Sequence, residues 1–148
     1  MRLSLLALIF SVIGTASAHA FLETSDPITG ATLQAAPEQI TLNFSEPLEL
    51  RFSTFTVIPL ETDATDPREV KLAAMDLTEE VMGTDEAGLE VEMLTAERAS
   101  REVTLGLPDL PSGTYVVMWR LLSTDTHTSD DFITFTVSAS TPDTSAGN

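Results

Sequence analysis

The chain has 148 residues, with 23 Asp and Glu against seven Lys and Arg, a formal net charge of −16 at pH 7, and no cysteine. A surface this acidic repels phosphate backbones, which excludes nucleic acid as a class of partner. The lack of cysteine excludes disulfides and thiolate sites for soft metals, so packing alone must stabilise the fold.

Residues 1–18 have the three parts of a secretory signal peptide. One basic residue precedes an apolar run at 3–13, and Ala16-Ser17-Ala18 is a small-residue cleavage site. The run is shorter than the ~20 residues that span a bilayer. We therefore expect cleavage after Ala18 and a soluble exported domain covering residues 19–138, which is long enough for one hydrophobic core.

Short segments of alternating apolar and polar residues dominate the rest of the chain, and this period of two is typical of half-buried strands. The predicted strands cover residues 39–44, 52–58, 89–93, 101–107, 114–122 and 132–137, with a further short one at 69–72. Residues 73–82 are expected to be irregular, with at most one or two helical turns. Residues 139–148 are predicted to be a disordered polar tail. About seven strands without a long helix predict a β-sandwich or β-barrel, with 114–122 as a central strand.

The chain has only two histidines, His19 and His127. After the predicted cleavage, His19 would offer its α-amine and its imidazole as a compact chelate. Asp125 lies two residues before His127, and in an extended segment such residues project to the same side. Two imidazoles, one amine and one carboxylate form a donor set that suits tetragonal Cu(II). The sequence therefore indicates a metal site that joins the two ends of the domain.

Three blocks of the sequence resemble the CopC-type periplasmic copper resistance domain. They comprise His19–Pro27 with Gly30–Leu33 and Ala36-Pro37; Leu42–Glu49; and Leu110–Tyr115 with Trp119, Arg120, Ser123, Asp125, His127, Phe132, Phe135 and Val137. The blocks occur in the order found in the family and span most of the expected mature domain.

The resemblance implies an all-β, immunoglobulin-like Greek-key β-sandwich of about seven strands. It also implies one Cu(II) ion bound by His19, Asp125 and His127, with Glu46 close to the copper, where it would orient an imidazole or a water molecule. The protein would then be a periplasmic copper carrier or buffer for copper resistance or homeostasis. A membrane copper transporter could receive its copper.

Two departures from the family pattern affect the site. Thr126 stands where family members often have glycine, whose presence suggests a backbone angle that threonine disfavours. Some members have a methionine-rich loop that binds Cu(I), whereas the methionines expected in the folded domain, Met75, Met82, Met93 and Met118, are scattered. The chain therefore resembles a member that binds Cu(II) only, with Met118 and Trp119 as core residues. Met75 and Met82 are favoured as core residues over loop ligands.

Two other functions remain open. Copper monooxygenases that act on polysaccharides also combine an N-terminal histidine, a second histidine and a β-sandwich, but they bind glycans through exposed aromatic side chains. This chain has one Trp and one Tyr, Trp119 and Tyr115, both in one predicted strand. A metal-free immunoglobulin-like structural module is the other alternative, and it predicts that replacing both histidines changes nothing.

Overall fold

A computed structural model describes residues 20–82, 84 and 88–138, so the expected signal peptide, His19 and the expected tail at 139–148 lie outside the described residues. The described chain forms eight strands, a short 3-10 helix and one α-helix, α1 (Pro67–Val81). The 3-10 helix covers Leu50–Phe52. The strands are β1 (Leu22–Asp26), β2 (Ala31–Leu33), β3 (Gln39–Glu49), β4 (Thr54–Leu60), β5 (Glu92–Met93), β6 (Ala99–Gly106), β7 (Gly113–Leu122) and β8 (Thr128–Val137).

The strands form two four-stranded sheets. One has the order β1-β3-β6-β5 and the other the order β2-β8-β7-β4. β2 runs parallel to β8, and the other pairings are antiparallel. This arrangement confirms the predicted all-β sandwich, and β7 is the central strand that the sequence predicted at 114–122.

The core between the two sheets is built from the inward-facing residues of both. The rings of Phe44 and Trp119 meet edge to face with their centroids 5.6 Å apart, whereas Tyr115 and Phe135 stack at 5.4 Å. The Tyr115 hydroxyl donates a hydrogen bond of 2.7 Å to the carbonyl oxygen of Pro111, which ties the preceding turn to the start of β7. Trp119 is only 2% exposed, which confirms its prediction as a core residue.

The prediction for residues 69–82 was wrong: they lie almost entirely in α1, a helix of 15 residues, and 69–72 is not a strand. The helix begins where the Asp66 carboxylate accepts hydrogen bonds from the backbone N–H groups of Arg68 at 2.8 Å and Glu69 at 3.4 Å. Pro67 occupies the first helical position, where its missing N–H costs nothing.

The helix forms because it covers the outer face of the second sheet. Alternate residues of β7 point in opposite directions, so that Val117 enters the core between the sheets and Met118 packs beneath α1. Ala74 and Val81 supply the helix side of this second core. Met118 is therefore a core residue, as predicted. Within the described residues, no helix has the length and apolar composition needed to cross a bilayer.

Candidate metal centre

The loop between β7 and β8 folds back on itself at one end of the sandwich. The Ser123 N–H donates a hydrogen bond of 3.0 Å to the carbonyl oxygen of His127, and the Thr126 N–H donates one of 2.9 Å to the carbonyl oxygen of Ser123. Residues 124–126 form a turn and bend and are not extended. Asp125 and His127 are therefore neighbours because of this turn, and the extended geometry expected from their spacing was wrong.

The Asp125 carboxylate organises the loop through both of its oxygens. Oδ1 accepts hydrogen bonds from the Ser123 hydroxyl and, at 3.2 Å, from the backbone N–H of His127. Oδ2 lies 3.0 Å from Nδ1 of the His127 ring. The Ser123 hydroxyl is the main reason why the pKa of Asp125 lies below its ordinary value; desolvation opposes it, and the contacts with His127 lower the pKa further. The carboxylate is thus kept ionised beside the imidazole.

Thr126, between these two side chains, has a φ of 74°. This is the left-handed region, which glycine enters freely and a β-branched residue enters only with strain. The conformation agrees with the expectation that glycine in this position serves a backbone angle that threonine disfavours.

The strand that carries Glu46 runs beside this loop. Leu48 forms an isolated bridge with Ser123, and the Thr124 N–H donates a hydrogen bond of 3.3 Å to the carbonyl oxygen of Pro47. Glu46 is half-buried and lies where the β3–β6 pairing shifts register, between Asn43 and Leu48. Among the described residues, no group of three or more His, Cys, Asp or Glu side chains could hold a metal ion, so Glu46 does not form one with Asp125 and His127.

The chain that immediately follows His19 is fixed at the same end of the sandwich. The Ser129 hydroxyl donates a hydrogen bond of 3.0 Å to the carbonyl oxygen of Ala20, which is buried. Phe21 exchanges two hydrogen bonds with Ser45: its N–H donates to the hydroxyl at 3.1 Å, and its carbonyl oxygen accepts from the backbone N–H at 2.9 Å. The described chain therefore begins between Ser45, which precedes Glu46, and Ser129, which is the second residue after His127.

Three of the residues that shape this region were not predicted as site residues. Ser123 precedes Asp125 by two residues and holds its carboxylate, a role that the Ser-x-Asp-x-His spacing could have indicated. Ser45 and Ser129 act on the backbone of Phe21 and Ala20. No local pattern marks either serine, because each contact joins segments that are far apart in the sequence.

The methionines that were considered as Cu(I) ligands lie on different elements. Met118 is buried in β7, Met75 is exposed on α1, and Met93 is exposed on β5 in the other sheet. Met82 caps the end of α1 and packs against the core beneath the helix. Met75 is therefore not the core residue that the sequence favoured.

A family model and several known proteins match most of the chain. The family model described as the CopC domain matches residues 22–138. "Copper resistance protein C" of Escherichia coli is 33% identical over 132 residues, which cover 88% of this chain and 90% of that protein.

Two solved structures have the same fold. The crystal structure of PcoC, described as a methionine-rich copper resistance protein from Escherichia coli, matches with a TM-score of 0.57 and 29% identity, covering 81% of this chain and 99% of that chain. The structure of CopC from Methylosinus trichosporium OB3b matches with a TM-score of 0.57 and 24% identity, covering 81% and 94%. The resemblance noted in the sequence is confirmed: the chain belongs to the CopC domain family.

Proposed function

We propose that this protein is an exported Cu(II)-binding protein that carries or buffers copper in copper resistance or homeostasis. One observation carries the proposal: the His127 ring and the Asp125 carboxylate are paired at 3.0 Å, at the same end of the sandwich where Ala20 is fixed by Ser129. His19 directly precedes Ala20 in the sequence, which supports its assignment to the same site. The names of the copper resistance relatives support the choice of metal.

The proposed donor set contains the α-amine and imidazole of His19, the imidazole of His127 and the Asp125 carboxylate. A free α-amine has a pKa of about 7.7–8.0, so Cu(II) can displace its proton at neutral pH. Three nitrogens and one oxygen suit a tetragonal Cu(II) ion, and Cu(II) stands highest among the divalent first-row metals in affinity for such donors. One ion per chain is the expected stoichiometry.

Asp125 has two ways of supporting copper in this arrangement. In the described geometry its Oδ2 faces Nδ1 of His127, so it holds the ring through that nitrogen, and Nε2 is the proposed nitrogen for the metal. Direct ligation requires the carboxylate to turn from Nδ1 toward the ion. Replacing Asp125 with Asn keeps the size and removes the charge, and direct ligation predicts a changed electron paramagnetic resonance signal in addition to weaker binding. Glu46, in the neighbouring strand, is proposed to orient an imidazole or a water molecule.

The proposed location is the periplasm, after removal of residues 1–18. The N-terminal segment of the sequence has the pattern of a signal peptide. Cleavage after Ala18 would create the α-amine of His19, which links export to assembly of the site. A membrane copper transporter is the proposed recipient of the copper.

The non-enzymatic interpretation is confirmed by membership of the CopC family, whose members are copper resistance proteins. The sandwich also buries the two aromatic residues that were considered for glycan binding, Trp119 and Tyr115. Trp119 is 2% exposed and Tyr115 is 3% exposed, and both lie in the core between the sheets. Neither ring is available to bind a sugar on the surface.

The test is a Cu(II) titration of two proteins, one that starts at His19 and one with a single alanine before it. We expect the first to bind one ion tightly, with a tetragonal, nitrogen-rich electron paramagnetic resonance signal, and the second to bind far more weakly. Equal binding by both would show that the amine is not a ligand. A failure of both to bind would show that the sandwich is preserved without the proposed function.

A further inference from the structure

The outer face of α1 carries a row of exposed side chains that the fold itself does not use. We call this row the α1 outer face; it consists of Arg68, Leu72, Met75 and Glu79. Their spacings of four, three and four residues place them on one side of a helix, as in the contact seam of a coiled coil. Leu72 is 56% exposed and Met75 is 40% exposed. The opposite side of α1, which includes Ala74, packs on the sheet.

The charges along this face are placed unfavourably with respect to the dipole of the helix. Arg68 lies in the first turn, where the helix dipole favours negative groups, and Glu79 lies in the last turn, where it favours positive groups. Lys71 and Asp76 repeat this order of a positive charge before a negative one. Lys71 is also three residues from Arg68, and Asp76 is three residues from Glu79, so each lies next to a like charge on the helix, which is unfavourable. Among the described residues, none of these four side chains forms an ion pair. The acidic groups that suit the first turn, Glu69 and the capping Asp66, are not part of this face.

The same order of charges is complementary to itself when the helix is reversed. The point midway between Leu72 and Met75 along the helix is also midway between Arg68 and Glu79. A two-fold axis through this point would place Arg68 of each copy opposite Glu79 of the other. It would also place Leu72 of each copy opposite Met75 of the other. The antiparallel arrangement would also place each helix dipole against the opposite end of the other.

We propose that the α1 outer face binds the same face of a second copy of this chain, so that the protein forms a two-fold dimer with antiparallel α1 helices. The apolar pair lies at the centre and the ion pairs flank it. A contact made by one helix from each chain is small, and the net negative charge of both chains opposes association. The dimer is therefore weak and in exchange with the monomer. Its formation does not depend on the proposed copper site.

The dimer is tested by sedimentation velocity over a range of concentrations of the exported protein, in 150 mM salt with EDTA present to exclude bridging by metal ions. We expect a concentration-dependent shift from monomer to dimer. Arg68→Glu and Glu79→Arg should each weaken the dimer about tenfold or more, because each turns two attractive pairs into repulsive ones. The double variant should restore it, since the reversed pairs attract again. The two positions are 11 residues apart on one helix, so an intrahelical contact cannot explain such a rescue.

Glu80→Arg is the matched control, because Glu80 is also exposed on α1 but points about 100° away from Glu79 around the helix. It should leave the dimer unchanged. Circular dichroism of every variant checks that α1 is intact. A protein that stays monomeric up to millimolar concentration would overturn the proposal. A dimer that is insensitive to Arg68→Glu would assign the interface to another face, and a double variant without rescue would exclude the antiparallel pairing.

Discussion

The hydroxyl of Ser129 and the carbonyl oxygen of Ala20, from residues 109 positions apart in the chain, are joined by a hydrogen bond of 3.0 Å. Ala20 directly follows His19, and Ser129 is the second residue after His127. This single contact therefore connects the two segments from which both histidines of the chain come. It is the point at which the proposed donor set would be preorganised, because it restricts where the start of the expected mature chain can lie.

Replacing Ser129 with Ala should weaken Cu(II) binding without unfolding the protein. A hydrogen bond of this kind contributes about 1 kcal/mol, so we expect a loss of about fivefold in affinity, measured by competitive titration with a chelator. Ser138→Ala is the matched control, because its hydroxyl donates a hydrogen bond of 2.8 Å to the carbonyl oxygen of Leu33 at the other end of β8. Equal affinities of the two variants would contradict the idea that Ser129 positions the N-terminus.

Replacing Thr126 with Gly should stabilise the protein. Thr126 has a φ of 74°, which costs a β-branched residue about 1–2 kcal/mol, and the flexibility of glycine in the unfolded chain offsets part of this gain. We expect the free energy of unfolding in urea to rise by about 0.5–1 kcal/mol. Thr124→Gly is the control in the same loop, where φ is not positive, and it should lower the stability. A loss of stability in both variants would show that the strain is absent.

The sequence predicted the strands that have an apolar face in the core, and it missed β1, β2 and most of α1. β3, β6 and β7 show a clear apolar period because each has a face in the core. β1 and β2 are missing from the predicted strands: no residue of either is fully buried, and each is held by its pairing with β3 or β8. Asp66-Pro67 before a helix-forming segment was a usable start signal for α1, but dividing 69–82 into two short pieces concealed its period of 3.6.

The proximity of Asp125 and His127 could be predicted from their spacing, whereas the reason for it could not. The turn depends on the left-handed backbone of Thr126 and on the Ser123 hydroxyl, both of which a period-2 argument ignores. The position of Ala20 beside Ser129 depends on the pairing of strands remote in sequence. Such contacts follow from the tertiary fold, and the residues involved, serine and alanine, carry no chemical signal of their own.

Replacing Ser123 with Ala should raise the pKa of Asp125. The folded-state pKa of this carboxyl lies below its ordinary value, chiefly because the Ser123 hydroxyl donates to it. Ionised Asp125 therefore stabilises the loop above the unfolded-state pKa, and this contribution is lost as the pH falls through the folded-state value. We expect carboxyl-carbon NMR titration to give a midpoint below the ordinary aspartate pKa in the wild type and a higher one in Ser123→Ala. Identical midpoints would contradict this role of Ser123.

Replacing Gly88 with Ala should destabilise the fold more than replacing Gly106 with Ala. A Cβ atom on Gly88 would lie 2.5 Å from Cγ2 of Thr56 and 2.6 Å from the carbonyl oxygen of Val57, a distance that only a backbone shift can relieve. That carbonyl accepts a hydrogen bond of 2.7 Å from the N–H of Leu89, which holds this segment against the edge of β4. A backbone shift at Gly88 would therefore also strain the hydrogen bond between Leu89 and Val57, which covers the edge of β4.

At Gly106, in contrast, the nearest atoms to an added Cβ would be side-chain carbons at 3.5 Å, an ordinary contact distance. We expect the free energy of unfolding in urea to fall by about 1–3 kcal/mol for Gly88→Ala, the cost typical of overpacking. Gly106→Ala should change it by less than about 1 kcal/mol, the smaller scale of a side-chain change in a strand. Equal effects of the two substitutions would mean that the chain at Gly88 does not approach β4 this closely. The Cu(II) affinity of both variants should match the wild type, because neither glycine lies in the β7–β8 loop.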